Sequence, residues 1–162
     1  MQRCRLSGLL LLAALAALPG TALASTGPSG HSHDRSFSAG EPGDAKQPAR
    51  IVQVIMREAD GKMMYVPNRL EIRRGEQVRF LLRNIGTLEH EFVLASPQEN
   101  LKHAALMEKY PDMQHEEPNA RSVAPEKTDE LLWRFTTEGT FEYGCLIPGH
   151  RQAGMIGTIV VR

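Results

Sequence analysis

The stretch CLIPGHRQAGM, Cys145 to Met155, decides how the rest of the chain is read. It spaces a thiol, an imidazole and a thioether as Cys-x4-His-x4-Met. Pro148-Gly149 inside it marks a turn. Runs of alternating apolar residues flank it, GTFEYGC (139–145) before and MIGTIVVR (155–162) after. Such alternation marks half-buried strands. The segment is therefore expected to be a loop at the end of a sheet, carrying three side chains that can bind a soft metal.

The donor types narrow the metal. A thiolate is a soft, strong ligand, a thioether is soft and weak, and an imidazole is intermediate. Zinc sites are built from Cys, His and carboxylates, whereas copper accepts all three donors present here. A trigonal His2Cys set with a long axial Met defines a type 1 copper site, so one histidine is missing. His90, in LEHEFVL (88–94), falls on the inward side of a predicted strand. A buried imidazole needs a partner. His90 is either a core histidine satisfied by a hydrogen bond or the fourth ligand, and the second reading completes the set.

Working outward, IVQVIMR (51–57), NRLEIRRGEQVRFLLRN (68–84, broken at Gly75), LEHEFVLA (88–95) and LLWRFT (131–136) also alternate with a period of two. In LEHEFVLA, Leu88, His90, Phe92 and Leu94 share a face. QENLKHAALMEKY (98–110) follows helical spacing instead, with Pro111 as its stop. The expected fold is all-β, a sandwich of seven or so strands with one short helical insert.

The first 24 residues carry Arg3 and Arg5, an apolar run from Leu9 to Leu18 and an Ala22-Leu23-Ala24 cleavage signal. They read as a secretory leader cut after Ala24, too short in its apolar run to span a bilayer. Residues 25–49, rich in Ser, Gly, Pro and charge, read as a flexible linker, with the folded domain spanning 50–162. The whole chain has 19 basic and 19 acidic residues. Without the leader it has 17 against 19, a net of −2, so no basic excess invites nucleic acid. Removing Cys4 leaves Cys145 alone. In an oxidising compartment a single thiol needs burial or a bound partner.

GEQVRF, Asn84 and HEF (75–92), together with YGCLIPGHRQAGM (143–155), resemble the cupredoxins, the small blue-copper proteins. The resemblance covers roughly residues 50–162, and the loop spacing is similar to that of the long-loop rusticyanin and azurin kind. The insert ENLKHAALMEKYPDMQHEEPNA and the strand EHEFVLA are similar to periplasmic cupredoxins associated with copper resistance. The resemblance implies a Greek-key β-sandwich. It also implies one copper ion held by His90 Nδ1, Cys145 Sγ, His150 Nδ1 and, axially, Met155 Sδ. Many cupredoxins place Asn or Ser after the first histidine to tie the ligand loops together; here Glu91 stands there. The expected function is one-electron transfer in the periplasm by a monomer. A redox partner docks near His150, on a patch formed by Leu146, Ile147, Pro148 and Gly149. The alternative is a copper-handling protein that binds or relays copper to limit toxicity. An enzyme is not expected, because a Cys-His hydrolase needs a base and an oxyanion hole, and a multicopper oxidase needs many more histidines.

Three further readings concern residues outside that set. His31 and His33 could catch a metal loosely, but the composition around them favours a solvated linker. Met63 and Met64 are sheet residues. His103, Met107, Met113 and His115 either form a second, exchangeable copper site or divide between a buried Met107 and an exposed remainder.

Overall fold

The structure, a computed structural model, describes residues 36–110 and 117–162. Strand β2 (Arg50–Ala59) illustrates why these residues make sheets: Val52, Val54 and Met56 are buried while Ile51, Gln53 and Arg57 face solvent. Successive side chains point to opposite faces, so one apolar face suffices to drive packing. The same alternation runs through β5 (Gln77–Asn84), where Val78, Phe80 and Leu82 turn inward, and through β10 (Ile156–Val161).

Among the described residues, ten strands form two five-stranded sheets. One has β1 (Glu41–Pro42), β8 (Thr128–Arg134), β5, β2 and β3 (Lys62–Val66) side by side. The other orders β4 (Arg69–Ile72), β10, β9 (Gly139–Gly144), β6 (His90–Ala95) and β7 (Ala120–Val123). β2 runs parallel to β5, and β4 runs parallel to β10. Between the sheets lie Trp133, Phe80, Phe92, Tyr65, Tyr143 and Ile159. The all-β sandwich expected from the alternation is present, and the break at Gly75 is a turn with φ +84°.

Helix α1 (Pro97–Lys109) is the single helix among the described residues. Ser96 caps it, accepting the Glu99 N–H, while the Glu99 carboxylate accepts the Ser96 N–H at 2.9 Å. This reciprocal capping box satisfies two otherwise orphaned donors. Pro111 lies outside the described residues, as do Met113, His115, the leader and the first part of the linker, with His31 and His33.

The linker boundary needs correction. Phe37 packs edge-on against Trp133, with ring centroids 5.2 Å apart. Ala39 is fully buried, and its carbonyl accepts the Trp133 indole N–H at 3.3 Å. β1 pairs Pro42 with Trp133, and Asp44 N–H donates to Gln77 Oε1 at 2.7 Å. The chain from Ser36 to Ala49 is thus a strap on the domain. Its composition concealed this, because two anchors set among Ser, Gly and charge make no periodic pattern. Leu88 also departs from expectation: β6 begins at His90, and Leu88 is an exposed loop residue. No helix among the described residues is long and apolar enough to cross a membrane.

Candidate metal centre

The fold brings the ends of β6 and β9 side by side, through the pairing of Val93 with Gly144. His90 opens β6 and Cys145 follows β9, so residues 55 apart in sequence become neighbours. The ligand-bearing loop is closed on itself. Cys145 N–H donates to Met155 O at 3.2 Å, Met155 N–H to His150 O at 3.1 Å and His150 N–H to Ile147 O at 3.1 Å. Gly149 (φ +88°) and Gly154 (φ +103°) supply left-handed turns that other residues adopt only with strain.

One donor atom from each of His90, Cys145 and His150 lies within 4.8 Å of the other two. The His90 and His150 Nδ1 atoms are 3.3 Å apart, and Cys145 Sγ is 3.3 Å from His150 Nδ1. His90 and Cys145 are fully buried, and His150 is partly exposed. Met155, also fully buried, sits at the base of the loop, bonded through its backbone to Cys145 and His150. The structure therefore gathers His90, Cys145 and His150 and places Met155 where the loop closes.

The surroundings orient these donors. Glu58 Oε1 lies 2.7 Å from His90 Nε2. An ionised carboxylate only accepts, so Nε2 carries a proton, which leaves Nδ1 as the His90 nitrogen turned to the cluster. Burial pushes the Glu58 carboxyl up, but hydrogen bonds from the Thr87 and Leu88 N–H groups and from His90 outweigh this and hold it below the usual value. Cys145 Sγ accepts the Glu91 N–H at 3.3 Å. Burial pushes the free thiol up to about 12, so a metal must displace its proton. Burial lowers His150, and His90 beside it lowers it further. Two imidazoles, a sulfur and a buried thioether make a soft-to-intermediate donor set, which suits copper better than zinc, calcium or magnesium.

Glu91 settles the departure noted in the sequence. Its Oε2 accepts the Leu146 N–H at 3.2 Å, so its carboxylate ties the two ligand loops together. Beneath the cluster, Tyr65 O–H donates to Glu91 O, and Phe92 and Tyr143 stack with centroids 4.9 Å apart. Arg151 forks onto buried Glu142 at 2.5 and 3.1 Å, anchoring the loop to β9.

Residues 52–162 match the family described as copper binding proteins, plastocyanin/azurin family. The chain belongs to that family. It is also similar to the copper-resistant cuproprotein CopI of Rubrivivax gelatinosus, 46% identical over 132 residues, covering 82% of this chain and 78% of that one. CopI of Pseudomonas aeruginosa is 32% identical over 159 residues, covering 80% and 84%. Among solved structures, auracyanin B aligns with a TM-score of 0.59 at 23% identity, covering 76% of this chain and 96% of that one, a likeness of fold. Copper is therefore the ion of this cupredoxin.

Three other expectations meet the structure here. Met107 is buried in an apolar cluster with Val93 and Leu146, so it braces the ligand loop from α1. His103 is partly buried on that helix. Leu146 is 2% exposed and cannot form part of a surface patch, whereas Pro148 and Gly149 are exposed. Sequence reasoning missed Glu58, and it took Asn84 as part of the family resemblance without finding its structural role. Asn84 is fully buried, accepts Gly86 N–H at 2.8 Å and donates to Leu88 O and Val123 O at 2.7 and 2.8 Å, shaping the loop that leads to His90. A signal was available, since both continue the inward phase of their strands after Met56 and Leu82.

Proposed function

We propose that this cupredoxin would hold one copper ion through His90 Nδ1, Cys145 Sγ, His150 Nδ1 and Met155 Sδ, and that it carries single electrons in the periplasm. The observation that carries this reading is the convergence of the three donor atoms within 4.8 Å. Bound copper supplies a one-electron Cu(II)/Cu(I) couple. The protein's share is to keep the donors still. Glu58 fixes the His90 ring, Glu91 N–H holds the sulfur, and the self-bonded loop fixes His150 and Met155. Donors held by the fold rearrange little as charge at the site changes. His150, partly exposed beside Pro148 and Gly149, offers partners a way in. The leader and the lone thiol support export. We read the site as a carrier's and not an enzyme's, since two of the six histidines fall in the N-terminal segment and too few remain for further copper sites.

Adding Cu(II) to the purified protein should produce an intense visible band from sulfur-to-copper charge transfer, absent in Cys145→Ser. Stopped-flow mixing with a one-electron reductant should bleach it in a single phase. A band that survives in Cys145→Ser removes the ligand assignment, and a copper form that resists reduction removes the carrier role.

A second reading has its own support. Relatives covering most of this chain are named copper-resistant cuproproteins. The same site then serves copper tolerance by binding or relaying the ion. Deleting the gene and plating on copper separates the two, because unchanged tolerance leaves electron transfer alone.

A further inference from the structure

We infer that Glu58 is a positioning residue that biases the site toward Cu(II), acting through the imidazole of His90. The inference rests on His90 being a copper ligand, as proposed above.

Glu58 belongs to β2, in the sheet opposite the one that carries His90. Four observations place it. Its Oε1 lies 2.7 Å from His90 Nε2 and accepts Leu88 N–H at 3.2 Å. Its Oε2 accepts Thr87 N–H at 2.9 Å. A Cβ added at Gly86 would come within 2.3 Å of the carboxylate, so a side chain there would have to push Glu58 off the hydrogen bonds that hold it. The His90 side chain is 0% exposed and that of Glu58 is 23% exposed, so water has little access to the bond between them.

A neutral acceptor at His90 Nε2 would orient the ring equally well. A carboxylate does more. Accepting the Nε2 proton leaves more electron density on the ring and makes Nδ1 a stronger donor. It also sets a fixed negative charge behind the ligand, which favours a doubly charged ion over a singly charged one. Both effects stabilise Cu(II) relative to Cu(I) and lower the reduction potential. The carboxylate thus tilts the site toward keeping the oxidised ion.

The test compares wild type with Glu58→Gln, which keeps an acceptor without the charge, and Glu58→Asp, which keeps the charge on a shorter arm. Cu(II) and Cu(I) affinities are measured separately with competing chelators, and the reduction potential by redox titration. Glu58→Gln should weaken Cu(II) binding about tenfold more than Cu(I) binding, at the low end of outer-partner effects. That ratio corresponds to a rise of about 59 mV for a one-electron couple. Glu58→Asp should keep the wild-type ratio even where both affinities fall. Local loosening lowers both affinities together, so an unchanged ratio in Glu58→Gln overturns the inference whatever happens to the absolute values. A ratio that shifts as much in Glu58→Asp as in Glu58→Gln overturns it too. His90→Ala separates the two proposals: full copper binding and an unaltered band in that variant sink the ligand reading itself.

Discussion

At the scale of single residues, the polar groups buried beside the copper loop matter as much as the donors. Arg151 and Glu142 have side chains only 14% and 8% exposed and form a two-pronged pair. Breaking such a pair strands a charge, whereas replacing both partners with apolar groups can be nearly neutral. Arg151→Ala should therefore destabilise the copper-free protein by about 3–5 kcal/mol in urea unfolding. Arg151→Met combined with Glu142→Leu should cost less than Arg151→Ala alone. A double variant worse than the single would show that the pair is needed for more than its charges. Cys145, His150 and Met155 were readable as candidate donors because Cys, His and Met at that spacing have few other joint uses. Glu58 and Asn84 were harder to find. Each looks like the polar end of a strand, and only its phase with Val54 and Met56, or with Phe80 and Leu82, betrays an inward side chain; the partners of Glu58 lie on and beside the loop before His90, and those of Asn84 on that same loop and at Val123 of β7.

At the scale of elements, alternation revealed the long strands, while short ones escaped. β1 has only two residues, and β7 buries Val123 alone without alternating, so no period emerges in either, and both exist because neighbouring strands offer open edges. α1 starts one residue before the expected 98, where Ser96 and Glu99 form the S-x-x-E pattern of a capping box, a signal that the spacing of apolar residues did not use. Burial pushes the Glu99 carboxyl up, but hydrogen bonds from Ser38 and Ser96 outweigh this and leave it below the ordinary 4.5. A lowered value means the contribution is present above pH 4.5 and fades as pH falls through the folded-state value. Loss of the capping box in Glu99→Ala should cost about 0.3–1.5 kcal/mol at pH 7, and thermal melts should show the gap from wild type closing below pH 4.5. In β10, Gly157 lies so close to Tyr143 that an added Cβ would meet the ring at 2.1 Å. Gly157→Ala should destabilise by about 1–3 kcal/mol through overpacking and should disturb the near-ultraviolet dichroism of the Phe92–Tyr143 stack. A variant as stable as wild type would mean that the ring can move aside.

At the scale of the whole molecule, the domain is larger than its periodic part. A protein beginning at Arg50 lacks Phe37 and Ala39 and so uncovers Trp133. It should melt lower than one beginning at Ser36, with tryptophan emission shifted to the red; identical emission maxima would show that the strap leaves the indole equally dry. The arrangement of the donors along the chain has another consequence. Cys145, His150 and Met155 lie between β9 and β10, His90 opens β6, and the carboxylate behind His90 is on β2, in the other sheet. With the proposed ligands, an unfolded chain offers copper Cys145, His150 and Met155 on one flexible stretch but not His90, so the share of the binding energy that needs His90 and a fixed geometry is reserved for finished molecules. Copper then works as an inspector, passing over molecules whose two halves are misaligned and locking shut those that have closed correctly.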